Sequence, residues 1–226
     1  MCSRYSLTSP PEAVRQTFGY RETPNFPPRY NIAPTQPVAI VRRGADGVRE
    51  FALVRWGLIP SWVKDPGEFR TLINARSETA LEKPSFRAGI RHRRCLVPAD
   101  GFYEWTGPKG NKQPHLIRPR TEGPMAFAGI WEHWMGPDGS ELESMAILTT
   151  AANETVQPLH DRMPVILEPE NFALWLDVRD TPAKEAAEFL RPANDDLLQT
   201  REVSRALNNP RNDGPEVQDA PEGQLL

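Results

Sequence analysis

The chain has 226 residues, 38% of them hydrophobic, with six Trp and nine Phe, enough to bury a core in one large domain or two small ones. Its formal net charge is −3; no apolar run is long enough to cross a bilayer, and the N-terminus lacks a basic-then-apolar signal pattern. Two cysteines and four histidines at scattered positions exclude a disulfide framework and zinc-ligand spacing, so the expectation is a soluble, cytoplasmic monomer with no membrane, metal or cofactor.

The charge is unevenly spread. Residues 1–120 carry 20 Lys and Arg against 10 Asp and Glu, whereas residues 121–226 carry 7 against 20. Such asymmetry fits a basic face for a polyanion. It fits equally well two halves that neutralise each other across a fold.

In chain order, the first notable residue is Cys2. Removal of Met1 would leave a thiol and an α-amine on one residue, a 1,2-aminothiol, whose amine condenses with an aldehyde and whose thiol then closes a thiazolidine ring. Both groups titrate within reach of neutral pH, at about 8 and about 8.5. Taken alone, Cys2 reads as an incidental residue on a frayed terminus. Residues 5–20 read as a helix, capped by Thr8 or Ser9 and opened by Pro10-Pro11, with Val14 and Phe18 on its apolar face. Residues 21–37 read as an extended loop, and Val38–Val41 and Glu50–Trp56 as a hairpin turned at Gly44–Gly47. In the following Trp56-Gly57-Leu58-Ile59-Pro60-Ser61-Trp62, Trp56 is assigned to the core. For Trp62, core and a stacking platform for a base stand level.

Leu72–Thr79 reads as a strand end followed by a helix cap at Ser77 or Thr79. Asn74 and Arg76, two apart on a strand, share one face and offer an amide and a phosphate-binding fork. The basic run Arg91–Arg94 reads as a solvated face. It leads into a β-like segment, Cys95–Trp105, broken at Pro98–Gly101, in which Cys95 packs as a small core residue. Glu104 stands between Tyr103 and Trp105. It is either an ordinary strand carboxylate facing water or, if turned into a pocket, a group whose pKa rises toward the working range of an acid/base. Turns at 106–113 and 136–139 separate further strands at His115–Ile117, Met125–Trp131 and Ser144–Thr150. A lone His is more often structural than catalytic; His160 is packed with Asp161 and Arg162, and Asp161 could orient it or pair with Arg162. Helices follow from Glu168 to Leu176 and over 181–190, and from about 208 the chain reads as an acidic, disordered tail.

Met1–Tyr5, Tyr30–Pro34, Trp56–Trp62, Asn74–Glu78, Arg94–Trp105 and Leu159–Pro164, occurring in that order, resemble the SOS response-associated peptidase (SRAP) family from Cys2 to about Pro215. The resemblance implies an α+β fold: a single compact domain, 1–207, built on twisted, mostly antiparallel sheet with flanking helices, followed by the tail 208–226. It also implies recognition of abasic sites in single-stranded DNA and a covalent thiazolidine link through Cys2, with lyase or self-processing activity beside it. By matching motif, Cys2 would be the nucleophile, and Asn74 would hold the deoxyribose or the terminal amine. Glu104 would move protons, and His160 would assist at the opened sugar. Arg4, Arg76 and Arg162 would contact phosphates, and Pro34 and Trp62 would line the bend of the strand. Two positions depart from the pattern: Ser3 stands where glycine is usual, and Val63 where some relatives carry a second aromatic. The alternatives are a cysteine peptidase acting on other chains or on Met1, and a non-covalent binder of single-stranded DNA.

Overall fold

Short runs of β-branched and aromatic residues, punctuated by Gly and Pro turns, make strands the dominant element. The computed structural model describes residues 2–221. The strands and helices are β1 (Tyr5–Leu7), α1 (Pro11–Phe18), β2 (Arg29–Ile32), β3 (Pro37–Arg43), β4 (Arg49–Trp56), β5 (Asn74–Arg76), α2 (Ser77–Ala80), α3 (Pro84–His92), β6 (Arg94–Ala99), β7 (Gly101–Thr106), β8 (Gln113–Pro119), β9 (Met125–Met135), β10 (Glu141–Ala151), β11 (Arg162–Pro164), β12 (Ile166–Leu167), α4 (Phe172–Leu176), α5 (Ala183–Ala186) and β13 (Leu198–Glu202). The fold is α+β.

One sheet, in the order β13-β8-β7-β1-β2, is antiparallel throughout. In the other, β10, β4, β3, β6 and β9 pair in sequence, and β9 pairs back onto β10, closing a small barrel. Closure removes the sheet edges that would otherwise template pairing with another chain. Every residue of β6 is buried, because its outer face is covered by helices as well as its inner face by the barrel. This is why Cys95–Ala99 is a continuous apolar run rather than an alternating one. Gly129 on β9 is required by the same packing. A Cβ there would lie 2.8 Å from Cys95 Sγ and 2.9 Å from Val97 Cγ2.

The β3–β4 hairpin pairs from Pro37↔Arg55 to Arg43↔Arg49, and Trp56 is fully buried with its indole N–H donating to Ile73 O at 2.9 Å. Three expectations are corrected. Residues 5–20 are not one helix: Tyr5–Leu7 is a strand between β2 and β7, and the helix starts at Pro11. The start of α1 is held by Asp100, whose carboxylate accepts the backbone N–H of Thr8 at 2.5 Å and of Ser9 at 2.6 Å; neither Thr8 nor Ser9 is the cap. Arg94 is not on a solvated face. It is 2% exposed and donates to the carbonyls of Trp175, Asp177, Thr181 and Ile90, so burial lowers its pKa only to about 10 and it stays charged.

The third correction concerns the tail. From 208 to 221 the chain folds back onto the five-stranded sheet. Asp213 accepts the backbone N–H groups of Tyr30 and Asn31, each at 2.7 Å, and pairs with Arg29. Val217 is fully buried with Tyr103, Leu116, Val203 and Leu207. The polar composition that suggested disorder instead supplies these bonds. Residues 222–226 of the expected tail lie outside the described residues.

Candidate active site

The C-terminal half of β10 gathers Asn74, Arg76 and Arg162. On one edge it pairs with β5, matching Ile147 to Asn74 and Thr149 to Arg76. On the other it pairs with β11, matching Ala151 to Arg162. Asn74 donates from Nδ2 to Cys2 O at 2.8 Å and fixes the N-terminal segment against the barrel. Among the described residues its buried Oδ1 has no hydrogen-bond partner, an acceptor still open to a donor.

Cys2 is fully buried, its Sγ 3.7 Å from Arg4 O. Burial pushes its thiol pKa up, and the nearby Glu104 carboxylate adds to the rise. Glu104 projects from β7 and is 4% exposed. Burial raises its pKa, while the charge of His160 acts in the opposite sense. The water-facing alternative for Glu104 is thereby replaced by the pocket-facing one. His160 sits just before β11. Its Nδ1 lies 2.9 Å from the backbone nitrogen of Arg162 and 2.8 Å from Asp161 Oδ1. Cys2, Asn74, Glu104 and His160 thus form one cluster at the rim of the barrel.

The arginines differ from one another. The Arg76 side chain is exposed and makes no hydrogen bond or ion pair among the described residues. Arg162 is engaged by Glu78 through both terminal nitrogens, at 2.5 and 3.0 Å, and by Thr149 O at 2.6 Å. Arg4 lies on the other side of the N-terminal segment. It donates to Asn31 Oδ1 at 2.7 Å and Leu207 O at 3.2 Å. Asn31 is the hub of that arrangement: fully buried, it also donates to the carbonyls of Leu207, Asn209 and Asn212. Asn31 and Glu78 both lie inside motifs visible in the sequence. Their partners, at Leu207 and Arg162, are far away in it.

Trp62 is 59% exposed and meets Phe69 edge-on at 5.7 Å. The loop that carries it is pinned on both sides, by Ile59 N–H on Ser144 Oγ and by the Trp134 indole on Val63 O. This exposure sets aside the core reading of Trp62. Val63 packs with Ile59 and Trp134 instead of standing beside it. Pro34 is partly buried and precedes Thr35, a β-branched residue at φ 74°, whose N–H donates to Trp56 O at 2.7 Å. Backbone held in this region stores strain. Across the molecule Arg29, Arg42, Arg43 and Arg93 pair with Asp213, Glu143, Asp177 and Glu132. At these positions the acidic half neutralises the basic half.

The closed barrel thus buries the Cys2 thiol near Asn74 and Glu104, with His160 beyond Glu104. The model of the family described as SOS response associated peptidase (SRAP) matches residues 1–210. The abasic site processing protein YoqW of Bacillus subtilis is 39% identical over 223 residues, covering 96% of this chain and 98% of its own length. The abasic site processing protein HMCES of Xenopus tropicalis is 33% identical, covering 96% and 77%. A crystal structure of a Bacteroides thetaiotaomicron protein superposes with a TM-score of 0.86 at 27% identity, covering 97% of this chain and 99% of that one. The chain belongs to the SRAP family. Among the described residues no helix is long and apolar enough to cross a membrane, and no group of three or more His, Cys, Asp or Glu is placed to hold a metal.

Proposed function

We propose that this protein recognises abasic sites in single-stranded DNA during the response to DNA damage and links to them covalently through Cys2. One observation carries the reading: the second residue of the chain is buried in a cluster with Asn74, Glu104 and His160 rather than frayed in solvent. The names of the relatives point to the same substrate.

An abasic sugar in its open form presents an aldehyde. Once Met1 is removed, the Cys2 amine adds to the aldehyde carbon and the carbinolamine loses one water to give an imine. The thiol then adds across the C=N bond. Its sulfur bonds to carbon, its proton ends on nitrogen, and a thiazolidine results. Burial keeps the Cys2 thiol protonated at rest, so its proton must be passed on as sulfur attacks. Glu104, with a pKa raised by burial and its charge felt at Cys2, is suited to take and return protons in both condensations. Asn74 holds the backbone of the nucleophile in place. His160 assists the opened sugar and the imine step. Arg4, Arg76 and Arg162 meet phosphates, and Arg162 does so by giving up Glu78. Trp62 and Pro34 receive the bend of the strand.

The test is an intact mass before and after incubation with a short oligonucleotide carrying one abasic site. The expected result is a starting mass without methionine, then a gain equal to the oligonucleotide less one water, absent for Cys2→Ala. A stable adduct formed by Cys2→Ala would overturn the thiazolidine route. No adduct with the mature wild-type protein would leave a non-covalent binder or a peptidase.

A further inference from the structure

Trp105 and Lys112 take no part in the cluster around Cys2, yet they build a second site beside it. Trp105 follows Glu104 on β7, so the two side chains leave opposite faces of the strand. On the face away from Glu104, a pocket of about 510 Å³ is lined by Ser3, Arg4, Trp105, Gly110, Lys112 and Asn208. The indole forms one wall. Its N–H donates to Asn208 Oδ1 at 2.7 Å, which fixes the plane of the ring. The Arg4 guanidinium lies 5.7 Å from the ring centroid and is itself held by Asn31 and Leu207. Lys112 comes from the β7–β8 turn, where Gly107 and Gly110 adopt φ of 85° and 89°. Asn208 Nδ2 donates to Lys112 O at 3.2 Å, tying that turn to the C-terminal segment.

An aromatic wall fixed in plane, with one cation over it and a second beside it, matches a nucleobase and its phosphate. The base stacks on the ring and the phosphate lies between the two positive charges. Glu104 and Cys2 lie just across the strand and the N-terminal segment from this pocket. A polymer passing over that edge reaches both places, whereas a small molecule reaches one. We propose that this pocket is a nucleotide subsite, in which a nucleotide flanking the abasic sugar stacks on Trp105 with its phosphate between Arg4 and Lys112. The proposal rests on the reading of the protein as an abasic-site DNA binder and adds where the strand goes after the lesion.

The experiment uses the mature full-length protein with Trp105→Ala, Trp105→Phe and Lys112→Gln. It measures crosslinking rate against DNA concentration for oligonucleotides with the abasic site in the centre, at the 5′ end and at the 3′ end. On the central-site oligonucleotide Trp105→Ala should weaken apparent affinity on the order of tenfold, with most of it restored by Phe, which keeps a stacking face. Lys112→Gln should reduce the slope of log affinity against log salt by about one. Both effects should vanish on one of the two end-site oligonucleotides, the one lacking the nucleotide that fills the pocket. Equal losses on all three substrates would mean that Trp105 only supports the fold, and no loss on any would mean an unused pocket; either overturns the subsite. Failure of the wild type to crosslink any of the three would overturn the proposed function instead. In that case the Kd for an undamaged strand, compared between wild type and Trp105→Ala, still tests the pocket.

Discussion

The two cysteines have the same burial and different surroundings. Cys2 and Cys95 are both fully buried, and burial pushes both thiols up. Around Cys95 the neighbours are those of a packed barrel: Gly129, whose missing side chain leaves room for the sulfur, and Trp175, whose indole donates to Cys95 O at 2.9 Å. Around Cys2 they are Asn74, Glu104 and, one step further, His160. Burial makes both thiols poor nucleophiles at rest. What separates a core residue from a candidate nucleophile is a group nearby that can carry its proton, together with the amine that only the second residue of a chain can expose.

The comparison makes graded predictions. Cys2→Ala should abolish the stable adduct in the intact-mass assay, while Cys95→Ala forms it in full. Glu104→Gln comes next, with crosslinking slowed by about 10²- to 10⁴-fold, the range for loss of a positioned acid/base, measured in single-turnover kinetics. The same variant sharpens the contrast through stability. Because the folded pKa of Glu104 is raised, the folded protein binds the carboxyl proton more tightly than the unfolded chain does. Holding the ionised form in the pocket therefore costs stability at neutral pH. Glu104→Gln should have a higher Tm than wild type at pH 7. That gain should shrink as pH falls through the raised value and be gone below the ordinary 4.5, where both states hold the proton. A Tm at pH 7 lower than wild type would show that the carboxylate is net stabilising where it sits.

Asn74→Ala removes one hydrogen bond to the Cys2 backbone. A loss of about 1 kcal/mol of positioning should slow crosslinking by about fivefold at saturating DNA and leave noncovalent affinity for an undamaged strand unchanged. The smallest effect belongs to Cys95→Ala in thermal unfolding, about 1 kcal/mol from the loss of one buried sulfur, with no change in crosslinking rate. A comparable loss of crosslinking in both cysteine variants would erase the distinction between the two sites.

Local pattern was enough for the β3–β4 hairpin, the turns at 106–113 and 136–139, the break between β6 and β7 and the burial of Trp56, since each depends on neighbours a few residues away. The same holds for the order of motifs that marks the family. Tertiary structure decided the remainder. Tyr5–Leu7 has no strand signal of its own and becomes one by lying between β2 and β7. Asp100 binds the backbone just ahead of a helix some ninety positions earlier in the chain. Arg94 belongs to a basic run, yet three carbonyls from a distant part of the chain, with that of nearby Ile90, make its burial tolerable. Residues 209–221 look unstructured by composition, yet Asp213 serves as acceptor for the backbone of β2 at the sheet edge. For the site, the sequence by itself determined which chemical groups are present: a thiol at the second position, a carboxylate among aromatics, an imidazole and several arginines. It could not determine which of them share a pocket, because convergence at the end of β10, and of β7 against the N-terminus, is a property of strand pairing across most of the chain.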